Sequence, residues 1–211
     1  MPQVSPTGLL VDLDGVLVNS LAAVIRAWTW WAPRHGLDPT PFINAHGRTT
    51  REAIAELAPR LDPDLEAALA EDRQMIDTAG VVALPGAMSL LRLAQPLAIV
   101  TSSTRRVALA RLRAAGLAMP KVVISAESVG RSKPDPGPCL LAAARLGLEP
   151  SDCIVFDDSP AGIQGGKAAG MAVVRVATTV SPGALEGADL IVRDLSEYLQ
   201  LTDALPRTAG E

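Results

Sequence analysis

The sequence predicts an α/β protein: a Rossmann-like parallel sheet with helices on both faces, interrupted by an inserted all-helical segment. Three observations carry this expectation. Short apolar runs alternate with Ala/Leu/Arg-rich helical stretches along most of the chain. Glycines suited to a left-handed helix end follow three of those stretches, at Ala114-Ala115-Gly116-Leu117, Arg145-Leu146-Gly147-Leu148 and Ala168-Ala169-Gly170-Met171. Between about Ser20 and Leu84 the alternation stops, and the pattern is helical with no convincing strand.

The elements follow in order. Gly8-Leu9-Leu10-Val11 reads as a fully buried first strand. Helical patterns then cover Leu21 to Trp28, Thr50 to Leu57 and Pro63 to Thr78, and Leu84-Pro85-Gly86 is a turn signal that closes the segment. Four more strands are expected at Leu97–Val100, Val122–Ile124, Ile154–Phe156 and Val173–Val176. Units joined by short loops give a parallel sheet. The expected division is a core of residues 1–18 and 85–211 and a helical cap of residues 19–84. Ligands of open α/β sheets bind beyond the strands' carboxyl ends. A helical insertion rising from the end of strand 1 would therefore cover such a site as a lid. Trp28, Trp30 and Trp31 all fall in that insertion; they read as packing between its helices, with the alternative that one lines the substrate pocket.

Composition bounds the partners. Hydrophobic residues make up 48 % of the 211 residues, enough for a substantial core, but aromatics only 3 %, so Ala, Leu and Val must build it. The formal net charge of −4 disfavours nucleic acid and leaves small molecules open. The first seven residues lack a basic region followed by an apolar stretch, and no apolar run approaches the ~20 residues that span a bilayer. Cys139 and Cys153 have no metal-ligand spacing and read as reduced, structural residues. A cytoplasmic protein without a membrane partner, monomeric or weakly dimeric, is the expectation.

Four segments at strand ends carry the chemistry. The first supplies Asp12 and Asp14, with Gly15 allowing a sharp turn behind them. Two acids at the tip of a buried strand cost desolvation and mutual repulsion unless a cation or a reaction employs them. The second segment, Thr101-Ser102-Ser103-Thr104, places hydroxyls and free N–H groups before a helix beginning near Arg105. Such an arrangement is either a helix cap or a phosphate cradle. The third, Gly130-Arg131-Ser132-Lys133-Pro134-Asp135-Pro136, holds Lys133 in a proline-stiffened loop, where it is solvated or neutralises carboxylates and phosphate. The fourth, Asp157-Asp158-Ser159-Pro160, again brings paired acids to a strand end. If the strands are neighbours, the carboxylates converge into an oxygen-only set suited to Mg²⁺ rather than Zn²⁺. His35 and His46 do not combine with the cysteines into a zinc site. Gly162-Ile163-Gln164-Gly165-Gly166 follows the acids and is no nucleotide fingerprint; its small residues suit close packing of a helix on the sheet.

Taken in order, these four segments resemble the motifs of haloacid dehalogenase-like hydrolases, over nearly the whole chain and including a helical cap inserted after the first motif. Within that family, Arg26-Ala27-Trp28, His46-Gly47, Ala53-Ile54-Ala55, Leu84-Pro85-Gly86-Ala87 and Asp158-Ser159-Pro160-Ala161-Gly162-Ile163 look most like phosphatases of hexose phosphates, glycerol phosphate and 2-deoxyglucose phosphate. The resemblance implies an Mg²⁺-dependent hydrolase of small phosphorylated sugars or polyols. Asp12 would become an aspartyl phosphate, and Asp14 would protonate the leaving alkoxide and then deprotonate water. Thr101 and the backbone at Ser102 would hold phosphate oxygens, with Lys133 steadying Asp12 and the phosphoryl group. Asp12, the main-chain carbonyl of Asp14 and Asp158 would hold the metal, with Asp157 supporting the metal's waters or Lys133; many relatives carry Glu there.

Specificity is expected from the cap, with His46, Arg48 and Arg51 as substrate candidates. Fungal relatives tend to read His-Gly-x-Arg-Thr, whereas this chain reads His46-Gly47-Arg48-Thr49-Thr50. The arginine stands one place early, which on a helix turns a side chain by ~100°. His35 reads as a loop or helix-end residue, and Glu127 and Asp135 as surface or capping residues. Two other functions are weighed. β-Phosphoglucomutase-like proteins carry a histidine where this chain has Val24, which favours hydrolysis here. A catalytically silent phosphosugar-binding module would tolerate loss of Asp12 or Asp14, and both are present.

Overall fold

The structure is a computed structural model that describes residues 7–45, 47–178 and 187–203. The chain runs β1 (Gly8–Val11), β2 (Val18–Asn19), α1 (Leu21–Trp31), α2 (Thr40–Ile43), α3 (Thr50–Leu57), α4 (Pro63–Ile76), β3 (Val82–Ala83) and α5 (Ala87–Leu90). It continues through β4 (Leu97–Val100), α6 (Arg105–Ala114), β5 (Val122–Ile124), α7 (Gly137–Leu146), β6 (Cys153–Asp157), α8 (Pro160–Ala168), β7 (Ala172–Val176), β8 (Leu190–Val192) and α9 (Leu195–Asp203). Six strands form one parallel sheet in the order β5-β4-β1-β6-β7-β8. All five strands expected from the sequence are present, and β8, only three residues long, extends the sheet beyond them.

Alternate residues of the buried strands feed two cores, as the period of two requires. Leu9, Val11, Ile99, Phe156 and Val174 pack with Leu112 of α6, Leu90 of α5 and Tyr198 of α9. Leu10, Ala98, Val100, Val155 and Val173 pack with Cys139 and Ala142 of α7 and Ile163 of α8. A side chain at Gly166 would come within 2.8 Å of Val173, so α8 lies as close to the sheet as its small residues imply. Gly116, Gly147 and Gly170 all adopt left-handed conformations at helix ends.

The expectation that residues 20–84 hold no strand is corrected. Val82–Ala83 pairs antiparallel with Val18–Asn19, and the Leu84 N–H donates to the Leu17 carbonyl at 2.9 Å. The chain thus leaves and rejoins the sheet through a two-stranded ribbon. Two-residue strands show no periodicity, which is why the pattern hides them. Between the ribbon's strands, α1 to α4 enclose a third core of Trp28, Trp31, Phe42, Ile54 and Ala67. The scarce aromatics concentrate here: the Trp28 and Trp31 rings lie 5.5 Å apart, and each stands 5.1 Å from Phe42. A capping box between Thr49 and Glu52 starts α3, and Asp62 caps α4. Cys139 and Cys153 are buried free thiols, and burial pushes Cys139 up to about 12, which keeps it inert. Among the described residues, no helix is long and apolar enough to cross a membrane.

Candidate active site

The chain sends β4 and β5 to one side of β1 and β6 to β8 to the other. The carboxyl ends of β1, β4 and β6 therefore frame the crevice where the strand order reverses. Asp12 follows β1, Thr101 follows β4, and Asp157 ends β6 with Asp158 next. The Asp12 N–H donates to the Phe156 carbonyl at 2.9 Å, so pairing continues past the strand and fixes the acid against β6.

Asp12, Asp157 and Asp158 each bring a carboxylate oxygen within 4.8 Å of the others. Their approach depends on glycines. A Cβ at Gly15, which has φ +83°, would stand 2.1 Å from the Asp158 carboxylate, and one at Gly162 would stand 1.9 Å from that of Asp157. The Lys133 ammonium lies 2.9 Å from Asp12 and 2.7 Å from Asp157. Asp157 also accepts from the Ser159 N–H at 2.9 Å and from its hydroxyl at 2.7 Å. Asp157 therefore supports Lys133 directly, one of its two expected tasks, and adds a carboxylate to the acidic cluster itself.

At an effective dielectric near 20, two like charges at that spacing repel by about 3–4 kcal/mol. Lys133 pairs with Asp12 and Asp157, and the mutual repulsion of the three carboxylates works against ionisation of Asp12. Burial pushes Asp12 up to about 8; Lys133 opposes this, while Asp157, Asp158 and Asp14 add to it. Burial also works against the Lys133 ammonium, but Asp12 and Asp157 outweigh it and hold Lys133 above the usual lysine range. A buried set of converging carboxylate oxygens fits a hard divalent cation.

Asp14 turns toward other partners. Its carboxylate accepts from the Ser20 hydroxyl at 2.6 Å, from the Ser103 hydroxyl at 3.0 Å and from the Arg111 guanidinium. The Thr101 hydroxyl accepts the Ser103 N–H at 3.1 Å, and the Ser102 hydroxyl donates to the Gly47 carbonyl at 2.6 Å. One pocket is lined by Asp12, Asp14, Thr101, Ser102 and Ser103 below and by Val24, Trp28, Phe42 and Ile43 above. Trp28 thus does both things expected of the tryptophans: it packs in the helical core and faces the pocket. Trp30 instead lies under the Arg34 guanidinium, 3.8 Å from its ring centre.

The cap candidates separate. Arg48 lines the pocket and pairs with Glu56. Arg51 faces a second groove that Arg48, Glu52 and Lys133 also line, and its guanidinium pairs with Asp64 at 2.6 Å. His46 lies outside the described residues. Elsewhere, His35 sits 3.0 Å from Glu66, Glu127 accepts the Arg105 N–H at the start of α6, and Asp135 accepts the Gly137 N–H.

Sequence reasoning missed Ser20, Gln74 and Arg111 around Asp14, and it placed Ser103 in the hydroxyl segment without linking it to that acid. For two of them a signal existed. Arg111 falls in the buried stripe Val107, Ala108, Leu112 of α6, and Gln74 in the buried stripe Ala67, Ala70 of α4. A polar side chain at a core position of a helix calls for a partner.

The model of the haloacid dehalogenase-like hydrolase family matches residues 6–170. The chain belongs to that family. Among this haloacid dehalogenase-like hydrolase's relatives is hexitol phosphatase A of Escherichia coli, 41 % identical over 90 % of this chain and 92 % of that one. Validoxylamine A 7'-phosphate phosphatase of Streptomyces hygroscopicus is 38 % identical over 89 % of this chain and 93 % of that one. A hydrolase from Pseudomonas syringae shares the fold with a TM-score of 0.80 at 23 % identity, covering 93 % of this chain and 98 % of its own.

Proposed function

We propose that this haloacid dehalogenase-like hydrolase is a phosphatase of small sugar or polyol phosphates that works through an aspartyl phosphate on Asp12 and uses Mg²⁺. One observation carries the reading: the Lys133 ammonium stands between Asp12 and Asp157 while Asp158 completes a buried acidic cluster beneath the pocket. The names of the two relatives support a phosphorylated sugar-like substrate.

In this account Asp12 attacks phosphorus, the bond to the substrate's alcohol oxygen breaks, and Asp14 gives that oxygen a proton. Water then attacks the aspartyl phosphate, Asp14 takes its proton, and inorganic phosphate departs. Lys133 neutralises equatorial oxygens as charge shifts, and Thr101 with the Ser102 backbone holds the others. Asp12 and Asp158 with the Asp14 carbonyl are the proposed metal ligands, Asp157 anchoring Lys133. Bound there, Mg²⁺ supplies positive charge that lets a phosphate dianion approach an anionic nucleophile. Residues 19–84 act as the cap: Trp28, Phe42 and Val24 present an apolar wall to the substrate's carbon skeleton, and Arg48 contacts its hydroxyls. Val24 offers no imidazole to restrain Asp14, in keeping with hydrolysis rather than mutase chemistry.

The test is phosphate release from a panel of sugar and polyol phosphates, with Mg²⁺ or EDTA and with Asp12→Asn as the blank. Metal-dependent release that vanishes in Asp12→Asn is expected. Release of equal size in the blank, or none from any substrate, overturns the proposal.

A further inference from the structure

We infer that Arg111, locked by Gln74, is the positioning residue that aims the Asp14 carboxyl, so that a helix of the cap segment sets the geometry of proton transfer. This rests on the proposed phosphatase reading and deepens it.

Arg111 is 2 % exposed and Gln74 7 %, each in an otherwise apolar helical stripe. One guanidinium nitrogen donates to Asp14 and, at 2.8 Å, to the Ser103 hydroxyl; the other donates to the Gln74 side-chain carbonyl at 2.6 Å. The Ser103 hydroxyl in turn donates a hydrogen bond to Asp14 at 3.0 Å. Arg111 comes from α6, beside the sheet, whereas Gln74 comes from α4, beyond the β2–β3 ribbon. The planar fork of arginine is what allows one side chain to hold both. With Ser20 on the other oxygen, three donors fix the Asp14 carboxylate, and rotation about its side chain breaks bonds in a buried site. Arg111 and Gln74 also line the pocket, and Arg111 reaches Ser103 of the Thr101–Thr104 segment, so the test must separate an effect passed through Asp14 from a lost substrate contact.

Asp14 acts twice. When the phosphorus–oxygen bond to an alkyl group breaks, the electron pair moves onto that oxygen, which takes the Asp14 proton. p-Nitrophenolate departs as a stable anion and needs none. In the second step Asp14 removes a proton from water whatever the first leaving group was.

Arg111→Met, Arg111→Lys and Gln74→Leu separate these effects. For a good sugar or polyol phosphate substrate, kcat/KM is expected to fall about tenfold or more in Arg111→Met, a fraction of the ~10²–10⁴-fold that a placed acid supplies. The fall should be smaller in Gln74→Leu and in Arg111→Lys, which keeps the charge but cannot bridge both partners. For p-nitrophenyl phosphate, kcat/KM should hold within about twofold while kcat falls and a burst of p-nitrophenolate appears, because breakdown of the aspartyl phosphate becomes slow. Lost substrate contacts alone would give no burst, and lost packing would lower kcat/KM for both substrates together. Parallel losses, or a sugar-phosphate defect without the burst, overturn the inference. Should Arg111→Met fail to fold in a thermal melt, Gln74→Leu and Arg111→Lys decide. If the unaltered enzyme releases phosphate from neither substrate class, the phosphatase reading fails and this inference with it; normal turnover without the split removes this inference alone.

Discussion

Replacing Lys133 by Met leaves a linear side chain one atom shorter and removes the ammonium, its charge and its hydrogen bonds together. Lys133 is 5 % exposed, and its ammonium lies 2.9 Å from Asp12 and 2.7 Å from Asp157. Removing one partner of a buried ion pair costs about 3–5 kcal/mol, because the charge left behind is uncompensated. At Asp12, pushed up to about 8 with the lysine opposing the rise, a proton can take over that compensation only toward and above that pH, and the value climbs further in Lys133→Met. The sign follows from comparing states. An acid whose folded value exceeds its unfolded ~3.9 holds more protons when folded, so stability falls as pH rises from about 4 through the folded value. Urea denaturation of metal-free Lys133→Met should show a loss at both pH 5 and pH 8.5, because Asp157 loses its ammonium partner at either value. The loss should reach about 3–5 kcal/mol and be larger at pH 8.5 by about 1 kcal/mol or less, since that pH lies only half a unit above the Asp12 value. Excess Mg²⁺ should restore part of it at pH 8.5. A loss under about 1 kcal/mol at both pH values, the size of an exposed pair, would refute the electrostatic reasoning.

Gly15→Ala should cost about 1–2 kcal/mol for its left-handed backbone and displace Asp158, whose carboxylate lies 2.1 Å from the added carbon. Weakened Mg²⁺ binding by calorimetry, alongside a lowered Tm, checks it; unchanged affinity would contradict the placement of Asp158. Glu71, pushed up to about 7 by burial and by Glu127 and Asp72 against the opposing Thr104 and Arg106, holds its proton better folded than unfolded. Its contribution to stability is therefore lost as pH rises from ~4 to about 7. Glu71→Gln should match the unaltered chain in thermal melts at pH 4 and exceed it at pH 8. Arg51→Ala breaks an exposed pair with Asp64 away from the pocket; stability should change by less than about 0.5 kcal/mol and kcat/KM by less than about twofold. A tenfold loss of kcat/KM would return Arg51 to the substrate site.

Much of this architecture was legible because the sheet is buried on both faces. Runs such as Ile154-Val155-Phe156 have no polar residue to disguise their period, and acids at their ends stand out against them. The ribbon of β2 and β3 was not legible: two residues each cannot show alternation, and their pairing joins distant parts of the chain. β8 was missed for similar reasons, at three residues with Ile191 facing solvent. The residues around Asp14 hid differently. Helix α6 carries four arginines, and only placing them on a helical wheel separates Arg111, beside Val107, Ala108 and Leu112, from Arg105 and Arg106 at the exposed start. Arg48 and Arg51 looked alike as cap cations. Their neighbours distinguish them, since Arg48 lines the pocket while Arg51 turns to Asp64.

The central claim, that Asp12 carries the phosphoryl group, is tested most directly by acid-quenching the enzyme during turnover and mapping its peptides by mass spectrometry. The account predicts one added phosphoryl group on the peptide containing Asp12, absent from Asp12→Asn and lost on standing at neutral pH. Turnover with the phosphoryl group on another residue, or an unmodified Asp12 peptide under conditions that slow the second step, would contradict it.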